Sequence, residues 1–175
     1  MSYVIIREAL PTELPAVGDL RAAAYQAGGF LSPQYAPELR ALGTQGDGIV
    51  LVAVRPDAAG SAESPALAGT IMLVLPPLAG EIIEEPDEAE IRALAVAPGT
   101  QGGGVGTALI REALRRATAA GARRAVLCTM PQMRTAHRLY ERAGFTRLTS
   151  RDWSPRPGTT LLAYARDLAA DSGPA

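Results

Sequence analysis

Lysine and asparagine are both missing from the 175 residues of this chain, and cysteine and histidine each occur once. Without lysine, the chain cannot carry the Gly-x-x-x-x-Gly-Lys loop of P-loop nucleotide-binding proteins; Gly99 and Gly104 have the right spacing, but Val105 follows them. The single cysteine forms no internal disulfide bond. One histidine and one cysteine are too few for a Cys/His zinc site, and no Gly-x-Ser-x-Gly segment offers a serine nucleophile. We therefore expect neither a metal site nor Ser-His-Asp chemistry.

An excess of charge and a long apolar run are lacking as well. The 17 basic and 18 acidic residues give a net charge of -1, so no overall field favours nucleic acid or a membrane surface. The longest apolar run, residues 66–79, is interrupted by Gly69, Pro76 and Pro77 and falls short of the roughly 20 residues of a membrane helix. The first ten residues lack the apolar core of a signal peptide. These absences predict a cytoplasmic protein that binds neither nucleic acid nor membrane.

The hydrophobic residues, 47% of the chain, suffice for one compact core. We predict a single domain over residues 1–170 and a flexible tail over 171–175. Alternating and helical periodicities predict an α/β (α+β) fold. The expected strands cover residues 3–6, 48–54, 67–75, 91–96, 125–129, 145–148 and 160–165. The expected helices begin at Pro11, Gln34, the end of the glycine-rich turn and Arg134. A loop is expected over residues 55–65, and a turn-rich connection over residues 152–158.

The most informative stretch is a glycine-rich turn, Gln101-Gly102-Gly103-Gly104-Val105-Gly106, between an apolar strand and a helix. Backbone N–H groups at the start of a helix, with no side chains in the way, suit a phosphate or pyrophosphate. The dinucleotide fingerprint Gly-x-Gly-x-x-Gly does not fit, because Thr107 or Leu109 stands where the third glycine belongs. The turn therefore predicts a phosphate site of another type.

Two motifs identify that type. Val96-Ala97-Pro98 followed by Gln101 to Gly106 resembles the acyl-CoA loop of the GNAT N-acetyltransferase superfamily. Downstream, Ala136-His137-Arg138-Leu139-Tyr140-Glu141-Arg142-Ala143-Gly144-Phe145 resembles that family's A-x-x-L-Y-E-x-x-G-F segment. The resemblance implies the GNAT fold, with a central mixed β-sheet of about seven strands flanked by about four helices. It also implies acetyl-CoA as co-substrate and homodimerisation as a common state.

The resemblance also implies which residues contact CoA. It implies that the CoA pyrophosphate lies on Gln101, Gly102, Gly103, Gly104, Val105 and Gly106 with Thr107 nearby, and that the pantetheine arm follows the backbone of Leu94, Ala95 and Val96. The family often has a basic residue at the position of Gly103, and often an asparagine at that of Met133. Both are absent here, so we expect weaker contacts to CoA at these two points.

Two catalytic candidates follow. Tyr140, in the Leu-Tyr-Glu segment, would protonate the leaving thiolate, with a packing role as the alternative. Glu90, six residues before Val96, would deprotonate the amine, with a solvated sheet rim or a chain of waters as alternatives. His137 is expected on a solvated helix face, and Cys128 as a small buried hydrophobe.

The sequence thus predicts an N-acetyltransferase that moves an acetyl group from acetyl-CoA to a primary amine by direct attack in a ternary complex. The alternative is a non-catalytic acyl-CoA-binding regulatory domain. The acceptor can be a small-molecule amine or a peptide amine. Six carboxylates precede the central strand and favour a cationic acceptor, unless they form only a solvated loop; they are Glu81, Glu84, Glu85, Asp87, Glu88 and Glu90.

Overall fold

The computed structural model describes residues 3–56 and 66–169. Within these residues the chain forms eight strands and four α-helices, together with short 3-10 helices at Pro11–Glu13 and Thr149–Arg151. In chain order the elements are β1 (Ile5–Glu8), α1 (Leu14–Ala27), α2 (Ala36–Ala41), β2 (Ile49–Val54), β3 (Leu67–Val74), β4 (Glu88–Val96), α3 (Val105–Ala119), β5 (Arg124–Thr129), α4 (Arg134–Arg142), β6 (Thr146–Arg147), β7 (Trp153–Arg156) and β8 (Thr159–Asp167). The predicted tail, and most of the predicted loop over 55–65, lie outside the described residues.

The strands form one mixed sheet in the order β1-β2-β3-β4-β5-β8-β6, with β7 paired to β8. β4 and β5 are parallel and are joined by α3, while the other pairs are antiparallel. This confirms the predicted mixed sheet, the antiparallel β2–β3 pair and the β4-α3-β5 unit. β7 is an addition, because the segment predicted to be turn-rich forms a hairpin with β8 through Gly158 at φ 80°.

Helices cover both faces of the sheet. Ala89 and Ile91 of β4 belong to the main core, into which α3 packs Leu109 and Ile110. On the opposite face Val17 of α1 packs against the valines of β2. Because side chains alternate along a strand, Glu88, Glu90 and Arg92 project to the α1 face. None of the described helices is both long enough and apolar enough to cross a bilayer.

The central strand, β4, is irregular in its C-terminal half. Opposite β3, the register shifts between Thr70, which pairs with Ala95, and Met72, which pairs with Arg92. This bulge contains Ala93, which has φ 50°, a left-handed value at a residue other than glycine. On its other edge β4 pairs with β5 only as far as Ile91 and Leu127. β4 continues to Val96 and β5 to Thr129, so the two strands separate and leave a slot between them.

Candidate active site

The first part of the site is the N-terminus of α3. Gly104 precedes the helix at φ 79°, and no side chain caps the first turn. The first helical hydrogen bond runs from Ala108 N–H to the Gly104 carbonyl at 3.0 Å. The N–H groups of Val105, Gly106 and Thr107 therefore have no partner within the helix. With the helix dipole behind them, these donors form an anion site.

The turn before the helix is held at one end and open at the other. The Thr100 hydroxyl donates to the carbonyls of Ala97 and Ala68, at 2.8 and 3.1 Å, and so fastens the turn to β3. Gly102 and Gly104 have positive φ, and a Cβ added to either would meet nothing within 4 Å. The predicted turn is therefore an open cradle whose backbone a phosphate can approach closely.

Gly106 has a different reason to be glycine. A Cβ at this position would lie 2.9 Å from Cδ2 of Leu139 and 3.6 Å from Cγ2 of Val96. The first turn of α3 thus packs directly on α4 and β4. Gly106 keeps the N-terminus of α3 close to the slot, and only its backbone is available to a ligand.

The second part of the site is the slot itself. Leu94, Ala95 and Val96 lie in the stretch of β4 that has separated from β5, so on that edge their backbone has no neighbouring strand among the described residues. Unpaired strand edges bind extended chains through main-chain hydrogen bonds. The predicted pantetheine residues are therefore free to pair with an amide-bearing arm.

A cavity of about 240 Å³ opens from the slot on the face covered by α1 and α2. Its wall combines the aromatic rings of Tyr25, Phe30 and Tyr35 with Pro155 and Leu161 from the β7–β8 hairpin. Glu90, Arg92 and Ala93 line it from β4, and Cys128 and Thr129 line it from β5. The cavity has an apolar body and a charged end at β4.

Glu90 stands at that charged end and is only 1% exposed. Its Oε2 accepts the backbone N–H of Glu81 at 2.7 Å and of Ile82 at 3.4 Å, and Arg92 Nε lies 3.8 Å from its Oε1. Burial raises the pKa of Glu90 and outweighs the opposing effects of Arg92 and the two N–H groups. The alternative of a solvated sheet rim is therefore wrong: the carboxylate is enclosed and biased towards its protonated form.

Glu88 shares that face but has a different environment. It is also 1% exposed, and its Oε2 accepts hydrogen bonds from Arg151 at 2.7 Å and from the N–H groups of Glu84 and Glu85. Burial alone would raise the pKa of Glu88, but these hydrogen bonds prevail and lower it.

The acidic stretch as a whole is largely neutralised. Arg92 pairs with Glu81 at 2.6 Å, and Arg151 holds Glu84 as well as Glu88. Asp87 lies 4.0 Å from Arg123. Of the six carboxylates, only Glu81 and Glu90 line the cavity. The six carboxylates therefore do not form an uncompensated acidic entrance, because Arg92, Arg123 and Arg151 face them; the preference for a cationic acceptor stays a prediction.

Tyr140 lies in the core and is 6% exposed. Its ring packs edge-on against Phe145, with centroids 6.1 Å apart, and lies 6.3 Å from that of Tyr164. The described residues give its hydroxyl no hydrogen-bond partner. Burial raises the pKa of Tyr140. Tyr140 is not among the residues that line the cavity.

The two other candidates differ from expectation. Cys128 is half-buried and lines the cavity; burial raises the pKa of its thiol to about 12 and outweighs the opposing effect of the neighbouring Trp153. His137 is not on a solvated face: its Nε2 lies 2.9 Å from the Met130 carbonyl oxygen, and its ring packs 5.7 Å from that of Tyr164. Sequence reasoning missed Arg92 and the aromatic wall, which no local motif signals.

Comparison with known proteins agrees with this geometry. The model of the acetyltransferase (GNAT) family matches residues 19–145. An acetyltransferase of the GNAT family from Staphylococcus aureus has 15% sequence identity and a TM-score of 0.71, over 95% of this chain and 100% of that one. A GNAT acetyltransferase from Streptococcus pneumoniae has 18% identity and a TM-score of 0.63, over 95% and 100%. An IAA acetyltransferase from Bacillus cereus has 18% identity and a TM-score of 0.64, with the same coverage. The comparison with curated proteins gives no match.

Proposed function

The chain belongs to the GNAT family of acetyltransferases, and from this premise we propose that it transfers the acetyl group of acetyl-CoA directly to a primary amine. The observation that carries the proposal is the separation of β4 from β5 beyond Ile91. It leaves the edge of Leu94 to Val96 unpaired between the cavity of Glu90 and the turn that leads to the anion site at α3.

The residues present fit acyl-CoA at each of its chemically distinct parts. Acetyl-CoA, when bound, supplies the acetyl group as an activated thioester. The N–H groups of Val105, Gly106 and Thr107, with the open turn from Gln101 to Gly104, would hold the pyrophosphate. The free β4 edge would pair with the amides of the pantetheine arm.

Glu90 is the proposed general base. A primary amine with a pKa near 10 is only about 0.1% unprotonated at pH 7, so the reaction needs an acceptor for its proton. The pKa of Glu90 is raised by burial, so its ionised form is a stronger base than an exposed carboxylate. The anchoring N–H groups of Glu81 and Ile82 fix its Oε2 and leave Oε1 towards Arg92.

The β4 backbone and Tyr140 would serve the acyl carbon and the leaving group. Backbone N–H groups on the free edge of Leu94 to Val96 can donate to the oxygen that gains negative charge during attack. The Tyr140 hydroxyl, which has no partner among the described residues, would give its proton to the departing sulfur. Its raised pKa makes that donation more uphill than for an exposed phenol, so burial must disfavour the thiolate equally for this role to hold.

Cys128 supports direct transfer over an acyl-enzyme. It is the cavity residue with the intrinsic nucleophilicity to accept an acetyl group, but a thiol with a pKa of about 12 remains protonated at neutral pH. The amine is then the nucleophile that attacks, and both substrates must be bound together.

The acceptor is proposed to be a small-molecule or peptide amine whose body fits the aromatic wall. The test is a panel containing an aromatic monoamine, an aliphatic diamine, an amino acid and a short peptide, each incubated with acetyl-CoA. Release of free CoA thiol is measured, and mass spectrometry verifies the acetylated product. Turnover with one class that is absent in Glu90→Gln supports the proposal. Tight CoA binding without turnover on any amine would instead favour the non-catalytic binding domain.

A further inference from the structure

Arginine and glutamate side chains line the cavity of about 240 Å³ beside Glu90, which is called the acceptor cavity here. Glu38 pairs with Arg156, and Glu81 pairs with Arg92. The side chains of Glu38 and Glu81 are 58% and 41% exposed, so solvent screens both carboxylates. The remaining carboxylate is that of Glu90, and burial biases it towards its protonated form. With Glu90 protonated, the charges that line the cavity cancel.

A further charged residue, Arg21, lies directly behind the cavity wall. It precedes Tyr25 of the wall by one turn of α1, is 0% exposed, and donates from Nη1 to the carbonyl of Leu42, another wall residue, at 2.7 Å. Its Nε and Nη2 have no hydrogen-bond partner, and no carboxylate lies within 4.0 Å of it, in the part of the chain that the structure describes. Burial lowers the pKa of Arg21 only to about 10, so it stays charged at neutral pH. An uncompensated positive charge therefore lies beside the acceptor cavity.

Arg92 is the cavity residue best placed to bind an anion directly. Its side chain is 19% exposed, with Nη2 2.6 Å from Oε1 of Glu81 and Nε 3.8 Å from Oε1 of Glu90. Its Nη1 makes no hydrogen bond to the described residues. Because ion pairs with exposed carboxylates are weak, a ligand carboxylate can share this guanidinium group with Glu81 or replace it. Paired hydrogen bonds would favour the exchange.

The spacing of Glu90 and Arg92 matches one class of amine. The 3.8 Å between Oε1 of Glu90 and Nε of Arg92 separates two groups of opposite charge at the same end of the cavity. An α-amino acid carries its amine and its carboxylate on one carbon, so it can meet both groups at once. A monoamine would leave Arg92 without a ligand partner. A diamine would bring its second positive charge close to Arg21 and Arg92, which is unfavourable.

The rest of the cavity indicates the side chain of such an amino acid. The rings of Tyr25, Phe30 and Tyr35 form an apolar wall. Arg156 already lies over the Tyr35 ring, 5.9 Å from its centroid, so a cationic side chain would meet a positive charge there. The volume of about 240 Å³ is below the roughly 300–1,000 Å³ of sites for drug-sized ligands. A single apolar amino acid suits this space better than a peptide.

We propose that the acceptor is a free α-amino acid with an apolar side chain, whose carboxylate is bound by Arg92 and stabilised by the buried charge of Arg21. The inference rests on the proposed function, because it assumes that Glu90 receives a proton from the acceptor amine. The nitrogen–carbon bond forms as the carbon–sulfur bond of the thioester breaks. Of the two protons that the ammonium group loses, one passes through Glu90 to solvent and the other ends on the CoA sulfur. The product is an N-acetyl amino acid that keeps its carboxylate.

Binding of the acetylated products tests recognition of the carboxylate without any chemistry. N-acetyl-L-phenylalanine and N-acetylphenethylamine differ only in the carboxylate, and neither has an amine that titrates. In calorimetry with the CoA-loaded wild-type protein, the first should bind about tenfold more tightly or better. Arg92→Gln should bring this ratio close to one, and Arg92→Lys should retain part of it because the charge remains.

Two more variants complete the binding test. Arg21→Met should lower the ratio without removing the direct contact, and circular dichroism verifies that the variant is folded; if it is not, Arg92→Gln alone decides. Arg123→Gln is the matched control and should keep the wild-type ratio. Arg123 is exposed, lies beside Asp87 and is outside the cavity.

Turnover provides the second measurement. L-phenylalanine, phenethylamine and an aliphatic diamine are compared at equal concentrations of unprotonated amine, since the carboxylate changes the pKa of the amine. The kcat/KM of L-phenylalanine should exceed that of the other two by about tenfold or more. Arg92→Gln should reduce this advantage mainly by raising KM, as expected for a residue that holds the carboxylate rather than one that moves a proton.

The outcomes separate this inference from the proposed function. Acetylation of phenethylamine as efficiently as L-phenylalanine, with equal binding of the two products, would overturn the inference and leave the function standing. A clear preference for the diamine would overturn it in favour of a cationic acceptor. If N-acetyl-L-phenylalanine binds selectively through Arg92 but no amine is acetylated, the recognition of the carboxylate stands and the proposed function fails.

Discussion

Glu88 and Glu90 lie two residues apart on the same face of β4, and each is 1% exposed. Their surroundings shift their pKa values in opposite directions: that of Glu88 is lowered and that of Glu90 is raised. Replacing each with glutamine preserves its shape and removes its charge. The pair therefore separates catalysis from stability within one strand.

Glu90→Gln should lower kcat and raise stability. General-base catalysis contributes typically about 10²- to 10⁴-fold, so we expect kcat to fall by about 10²-fold or more. The folded pKa of Glu90 lies above its unfolded value, so its ionisation destabilises the native state as pH rises through the folded pKa. Each unit of elevation corresponds to about 1.4 kcal/mol, or roughly 3–5 °C in Tm. The variant should melt higher than wild type at pH 7–8 and equally below pH about 4.

Glu88→Gln should lower stability and leave kcat unchanged. It leaves the buried Arg151 guanidinium with Glu84, which is mostly exposed. Breaking a buried ion pair costs about 3–5 kcal/mol; with Glu84 still present we expect the lower end, about 3 kcal/mol, or roughly 6–12 °C in Tm. Because the folded pKa of Glu88 is lowered, this stability is present at neutral pH and is lost as pH falls through the folded pKa. Turnover per folded molecule should hold.

Thermal melts from pH 4 to 8 and kcat–pH profiles of the three proteins provide the measurements. Wild-type kcat should fall on the acid side as Glu90 is protonated, and Glu90→Gln should lack this limb. If Glu90→Gln retains wild-type kcat, the carboxylate is not the base and a chain of waters takes its place. If both variants lose activity and stability together, the two environments are equivalent and the reasoning from burial fails.

Three further substitutions test single roles. Tyr140→Phe should lower kcat by roughly 10² with little change in Tm; a lower Tm with unchanged turnover would show that Tyr140 only packs. Gly103→Asp should weaken CoA binding at least tenfold in calorimetry, about 1.4 kcal/mol, whereas Gly103→Asn should not; position 103 lacks positive φ, so equal losses would point to the backbone. Cys128→Ala should keep its turnover, and its inactivity would indicate an acyl-enzyme.

Much of the fold could be predicted because its determinants are local. Apolar alternation and glycine or proline boundaries located seven strands and four helices to within a few residues. β7 was missed because Trp153-Ser154-Pro155-Arg156 has the composition of a turn. It can form a strand despite its proline because, among the described strands, it pairs only with β8. Proline is tolerated in such an edge strand.

The candidate site also has one part that local sequence predicts and one part that it does not. The turn from Gln101 to Gly106 was visible because its function depends on consecutive glycines before a helix. The neutralisation of the acidic stretch was not visible, because Arg151 meets Glu88 from 63 residues away. No local pattern encodes such a pair, since it depends on how β4 and the segment before β7 come together in three dimensions.

The bulge at Ala93 shows how the fold of β4 positions the candidate site. A left-handed conformation costs a residue with a Cβ roughly 1–2 kcal/mol. The sequence around Ala93 contains no glycine that would indicate the bulge. The strain is offset by the regular pairing with β3 on either side, from Glu90 to Arg92 and from Ala95 to Val96. β4 separates from β5 just after Ile91. A regular β4 would continue the parallel ladder past Ile91 as far as β5 extends, to Thr129, and would close the slot from which the cavity of Glu90 opens.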